Sequence, residues 1–203
     1  RGVTYLTRAV LLQNRSVIEA LIDAGANLDG HCVNPTDPAL RLLAPSLRMV
    51  RSHPEENPLR RSGWTPVMEA SRVQAHQLTD LLLARGANPN AATELGHTAL
   101  MEAATVGESM IAESLLNQGA EIDQANENGQ TALHCAVGKG RVDVVGFLLG
   151  ACADINHRDA QGNTPLMLAA VQGFDVTRML LRQGADVNAV SCDRDSALSL
   201  AMR

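Results

Sequence analysis

Four groups of residues in this sequence are of the right type to do chemistry. Gly138-Lys139-Gly140 precedes a helical pattern, where a phosphate-cradling lysine would stand; His134 and Cys135 are the ingredients of a nucleophile–base pair; Asp193 and Asp195 could share a cation; Cys32, Cys135, Cys152 and Cys192 could take a metal or pair as disulfides. Spacing argues against each. The sequence contains no G-x-S-x-G, H-E-x-x-H or G-x-x-x-x-G-K-[ST] pattern, and those patterns place nucleophile, base or phosphate-binding amides where a reaction needs them. Neighbouring residues on a helix point in different directions, so His134 and Cys135 do not face one another. Two carboxylates without a third ligand fit a solvated turn. The cysteines form no C-x-x-C pair and have no histidine at ligand spacing. A chain of 203 residues that can build a core seldom depends on disulfides, so reduced thiols and a cytoplasmic location are expected. The sequon Asn14-Arg15-Ser16 then falls in a helix-to-helix turn with no glycosylating compartment to act on it. No catalytic residue, metal site or cofactor is expected.

Composition narrows the classes further. Hydrophobic residues make up 45% and charged residues 19%, a balance that buries a core. Aromatics are only 2%, namely Tyr5, Trp64, Phe147 and Phe174, too few for a base-stacking platform. A formal charge of -5 argues against nucleic acid as a partner, since that affinity comes from many Lys and Arg. The longest apolar stretch, Val144 to Ala153, is about half of the ~20 residues a membrane helix needs, so no membrane insertion is expected. Lys139 is the sole lysine among 17 basic residues. That bias fits either a GC-rich genome or selection against ubiquitin acceptors.

The elements that position these residues repeat. Gly63, Gly96, Gly129 and Gly162 lie 33 residues apart, and each opens the same phrase: Gly63-Trp64-Thr65-Pro66-Val67, Gly96-His97-Thr98-Ala99-Leu100, Gly129-Gln130-Thr131-Ala132-Leu133 and Gly162-Asn163-Thr164-Pro165-Leu166. A second phrase follows as Gly86-Ala87-Asn88, Gly119-Ala120-Glu121, Cys152-Ala153-Asp154 and, one residue early, Gly184-Ala185-Asp186. Partial copies open the chain at Gly2, Thr4 and Leu6 and close it at Ser196-Ala197-Leu198. A fixed period of this length marks a repeat array. Thr65 and Thr164 are suited to cap a helix, with Pro66 and Pro165 at a first position where no donor is lost. Small Ala70, Ala103, Ala136 and Ala169 permit close helix approach, and a second helix carries paired apolar positions such as Val144, Val145, Leu148 and Leu149. Gly25, Gly86, Gly119 and Gly184 then supply a left-handed helix end.

These phrases resemble the ankyrin repeat, G-x-T-P-L-H-x-A followed by L-L-x-x-G-A-D-x-N, over the whole chain except residues 30–62. The resemblance implies an all-α ankyrin-repeat solenoid of helix-turn-helix units with β-hairpin fingers. Repeats start near 2, 63, 96, 129 and 162, with a partial one near 194, forming a single array over 1–203. The ending at Leu200-Ala201-Met202, without a second helix, and the apolar opening run Ala9-Val10-Leu11-Leu12 suggest part of a longer chain; fraying tails are the alternative.

Departures from the pattern are specific. Thr4 and Thr65 are separated by nearly two periods, which places a long insertion between the first two repeats at residues 30–62. It holds five of the eight prolines, Pro35, Pro38, Pro45, Pro54 and Pro58, and carries net positive charge where the repeats are acidic. It reads as a loop packing its leucines on the repeats or as an element that contacts a partner. Only His134 keeps the motif histidine; Thr7 stands there in the first repeat, and Met68, Met101 and Met167 replace it in others, as gap-fillers or as an adaptable strip along the inner groove. Cys152 replaces a helix-ending glycine, with Gly150 a candidate to absorb the turn. One residue is missing after Gly173.

The function the resemblance implies is a non-catalytic protein–protein interaction scaffold that binds through its concave face and fingers. The candidate contacts are Trp64, His97, Gln130 and Asn163 on the finger side, and Met68, Glu69, Met101, Glu102, His134 and Met167 on the inner helices. Trp64, as the sole Trp, is the natural hot spot. The acidic repeats suit a protein partner with a basic surface. Two other roles stay open: an inhibitory or immunity-type protein using 31–62 as a plug, and the substrate-targeting arm of a larger enzyme or ubiquitin-ligase adaptor.

Overall fold

A computed structural model describes residues 5–30 and 63–202. The insertion at 31–62, and with it Cys32 and the plug reading, lies outside the described residues. The chain forms two compact units, Arg1–Ala99 and Leu100–Arg203. Among the described residues all regular structure is helical, apart from one isolated bridge between Ala92 and Thr98.

The first unit holds α1 (Tyr5–Leu11), α2 (Arg15–Asp23), α3 (Pro66–Arg72) and α4 (His76–Ala84). α1 pairs with α2, α3 with α4, and α1 packs on α3. Capping fixes where these helices begin. Asn14 Oδ1 accepts from the Val17 amide at 3.2 Å, and Thr65 Oγ1 accepts from the Met68 amide at 3.3 Å with Pro66 behind it. The core is aliphatic: Leu6, Val10, Ile18, Leu21, Val67 and Leu82 are all buried.

The second unit takes in α5 (Ala99–Val106), α6 (Ser109–Asn117), α7 (Ala132–Gly138), α8 (Val142–Gly150), α9 (Pro165–Gln172), α10 (Phe174–Arg182) and α11 (Ala197–Ala201). Two rows result, α7–α9–α11 and α6–α8–α10, with α7 paired to α8 and α9 to α10. No single helix pair encloses its own apolar face, so each row depends on its neighbour. Ala103, Ala136 and Ala169 are fully buried, in keeping with their expected role at close helix approach. The second helix of every pair, α2, α4, α6, α8 and α10, has nine residues.

Two expectations need correction. Cys152 itself adopts the left-handed conformation, at φ 66°, while Gly150 stays inside α8; the turn is not absorbed two residues earlier. Thr164 occupies the cap position of α9, yet its buried hydroxyl has no hydrogen-bond partner, and the Met167 amide donates instead to the Thr164 carbonyl at 3.0 Å. The residue missing after Gly173 shortens the turn and not the helix: Gly173 alone joins α9 to α10. The equivalent turns elsewhere use a left-handed residue, Gly107 and Gly140 but also Gln13 and Gln74.

Candidate interaction surface

The fingers are built by short polar residues at one register doing one task. Thr93, Asn126, Asp159 and Ser191 each close a finger by donating their amide to the carbonyl of a residue four positions on, at 2.8–3.0 Å. Their side chains close it again. Thr93 Oγ1 accepts from the His97 amide, Asn126 Oδ1 from those of Asn128 and Gln130, Asp159 Oδ1 from those of Gln161 and Asn163, and Ser191 Oγ from that of Asp195. These short side chains compete with regular structure by bonding their own backbone, which suits them to turns. Within the second unit successive fingers also join directly. The Ala160 amide donates to the Asn128 carbonyl and the Cys192 amide to the Gln161 carbonyl, both at 2.9 Å. Lower down, Asp123 Oδ1 accepts from the Asp154 amide at 3.0 Å and Asn156 Oδ1 from the Asp186 amide at 2.8 Å. Gly129 is required here: it sits at φ 70°, and a Cβ would lie 2.6 Å from the Ala160 nitrogen.

Against this framework the ten expected contact residues divide. Met68, Met101 and Met167 are at most 1% exposed. They fill space inside the repeats, as unbranched thioethers do well, and do not form an accessible apolar strip. Trp64 is nearly buried, its indole Nε1 donating to Glu69 Oε2 at 2.9 Å and its ring stacked on His97 with centroids 6.2 Å apart. Glu69 is buried as well and accepts from Arg72 Nη2 at 2.6 Å and Nε at 3.3 Å. Trp64 and Glu69 are therefore a structural pair in the first unit, contrary to the hot-spot expectation. A buried carboxylate needs such donors, because desolvation without them is expensive.

His134 is buried too. Its Nδ1 accepts from the Thr131 amide at 3.3 Å and lies 3.0 Å from Thr131 Oγ1, while Nε2 faces the Asn163 carbonyl at 3.4 Å. These partners assign the neutral tautomer with its proton on Nε2. Burial, above all, holds its pKa below the usual histidine value; the Asn163 carbonyl and Asp159 oppose that effect in part.

His97, Glu102, Gln130 and Asn163 keep accessible surface. In the second unit the Glu102 register continues as half-buried Cys135 and Leu168, which sequence reasoning missed. The signal was present: both follow the buried Met101/His134/Met167 position by one residue, at the same 33-residue period. Glu69 shares that register and is the exception, drawn inward by Trp64 and Arg72. The Cys135 thiol is pushed up to about 11, chiefly by burial, so it is a poor nucleophile at neutral pH.

Sequence reasoning also missed an apolar groove of about 480 Å³ in the second unit, between α9, α10 and α11, lined by Leu166, Val171, Phe174, Leu181 and Leu198. Arg178 lies over the Phe174 ring at 5.3 Å. Leu198 is 70% exposed, although its counterparts Leu100, Leu133 and Leu166 are buried.

Among the described residues no group of His, Cys, Asp and Glu is arranged to hold a metal ion, and no helix is long and apolar enough to cross a membrane. A search of curated proteins returns no match. The family model for ankyrin repeats (3 copies) matches residues 32–126 and 108–191. With that match spanning most of its length, and with helix pairs and bracketed fingers recurring at the period of the sequence, the chain belongs to the ankyrin repeat family.

Proposed function

We propose that this chain is a non-catalytic scaffold that captures a protein partner on its finger tips and on the exposed edge of its first-row helices. Ankyrin repeats generally serve as protein–protein interaction modules and are typically non-catalytic. In the second unit the contact residues are Gln130 and Asn163 on the fingers with Glu102, Cys135 and Leu168 on the helices; in the first unit His97 takes the finger role. One observation carries this reading. The finger side chains Gln130 and Asn163 are accessible, yet their backbones are bracketed at both ends and tied to the next finger. A surface already fixed loses little conformational entropy on docking.

The acidic balance of the repeats favours a partner with a basic surface, through faster encounter more than through final affinity. A cytoplasmic setting agrees with the half-buried Cys135 and the exposed Cys152 and Cys192, all free thiols. The test is a pull-down with identification by mass spectrometry, followed by affinity measurement on a Glu102→Arg, Gln130→Arg double variant. Both side chains keep accessible surface, and the variant is expected to stay folded and unfold cooperatively while its affinity falls at least tenfold. Unchanged affinity would discard this surface.

A further inference from the structure

We propose that His134 and His157 form an acid-sensitive latch that holds the finger at residues 154–164 against α7, and that releases as the pH drops below neutral. The geometry assigns each part. His134 spans two elements: through Nδ1 it caps the start of α7 at Thr131, and through Nε2 it reaches the Asn163 carbonyl at the end of the next finger. His157 stands in that same finger, its ring edge-on to His134 with centroids 5.8 Å apart. Such an arrangement requires an unprotonated Nδ1. An imidazolium donates from both nitrogens, so the Thr131 amide would face an N–H and lose its acceptor in a buried site. A proton on His157 as well would set two cations edge to face.

The charges around the pair do not cancel this effect. On the finger, Asp159 favours the charged form of His134, but it is already committed to the amides of Gln161 and Asn163 and to Asn163 Nδ2. Asp154 approaches His157 at 4.0 Å, a long contact that is half exposed and easily screened. Arg158 turns away to donate to the Val190 carbonyl. α9, packed on α7, carries no ionisable side chain, and α8 carries only Asp143. On α7 the other ionisable side chain is Cys135, and Lys139 follows the helix at its far end. Burial dominates, and it favours the neutral ring.

The sign follows. With its folded pKa below the ordinary value, His134 binds its proton more readily when the latch is open. The closed state is therefore fully favoured above about pH 6.5, the ordinary histidine value. It loses ground as pH falls from there to the midpoint of His134 in the folded protein. In that window the opening equilibrium should rise about tenfold per pH unit. The other repeats carry Met68, Met101, Met167, Thr7 or Ser199 at this position and lack the device.

The experiment is NMR on the whole chain, recording histidine Cε1–H titrations and the hydrogen-exchange protection of the Thr131 amide, corrected for intrinsic exchange, with the Ala120 amide as reference. Expected are a His134 midpoint below 6.5, Thr131 protection that is flat above that pH and falls about tenfold per unit beneath it, and an Ala120 amide that does not follow. His134→Gln keeps an acceptor for Thr131 and a donor for Asn163 without a titrating proton, and should make Thr131 protection flat. If that variant does not fold, His157→Gln decides: removing the like charge should move the His134 midpoint upward. A wild-type midpoint at or above 6.5, pH-independent Thr131 protection, or a His134 midpoint unmoved by His157→Gln would each overturn the latch.

Discussion

Replacing Arg72 with methionine tests whether Trp64 is held for structure or displayed for binding. The Glu69 carboxylate is 1% exposed and takes bonds from Trp64 Nε1 at 2.9 Å and from Arg72 at 2.6 and 3.3 Å. Arg72→Met keeps the aliphatic stem but removes two of those three donors. Stranding one member of a buried ion pair costs about 3–5 kcal/mol. The Arg72 side chain is 33% exposed, so water can follow into the vacated space, and the expected loss is nearer 2–3 kcal/mol. Glu69→Gln keeps one acceptor oxygen, enough for the Trp64 indole, but turns an amide N–H toward Arg72 Nη2 where Oε1 had accepted, a loss of about 1–2 kcal/mol. The double variant strands no charge. It should be less destabilised than the sum of the singles, with a coupling of about 1–2 kcal/mol. Trp64 is the sole tryptophan and sits in the first unit, so its fluorescence during urea unfolding reports on the right place without a label. The expected order is Arg72→Met, then Glu69→Gln, then wild type, with the m-value unchanged. A stability loss below about 0.5 kcal/mol for Arg72→Met, within the range of ordinary surface substitutions, together with a tenfold loss of partner affinity, would return Trp64 and its neighbours to the binding surface.

Glycine substitutions separate steric from conformational demands. Gly119→Ala meets nothing within 4 Å and should cost only the left-handed penalty of about 1–2 kcal/mol; Gly129→Ala adds a backbone collision at 2.6 Å and should unfold at a clearly lower urea concentration than its counterpart. Cys152 and Arg194 hold φ angles of 66° and 63° where other repeats have glycine, so Cys152→Gly and Arg194→Gly should each raise the midpoint of thermal unfolding, by about 0.5–1 kcal/mol of stability after the added chain entropy of glycine is subtracted. Thiol labelling at pH 8 should find Cys152 and Cys192 fast and Cys135 slow, since burial pushes the Cys135 thiol up to about 11; a Cys135→Ser variant that removes a fast-reacting thiol would contradict that burial.

The period, the helix pairs and the glycine positions were all legible from the residues alone, because each reflects a local constraint. Thr65 followed by Pro66 specifies a helix start, and a left-handed turn at Gly129 tolerates little else. The fingers were foreseen as hairpins, but their closure by Thr93, Asn126, Asp159 and Ser191 was not singled out, although those residues share one register. Exposure was the part that did not follow. Met101 and Glu102 are neighbours in sequence, and only the packing of one helix against the next decides that the first is enclosed and the second reaches solvent. Trp64 makes the same point more sharply. A lone tryptophan beside a glycine turn reads as a contact residue until Glu69, five positions later, is found buried with its carboxylate on the indole nitrogen. His134 could be recognised as the one retained motif histidine, whereas its partner His157 lies 23 residues further on and meets it only when the finger folds back. Local sequence thus determined which conformations the backbone takes, since those preferences act over a few bonds. The identity of the accessible side chains was settled by tertiary packing, because burial depends on residues that no local pattern brings together.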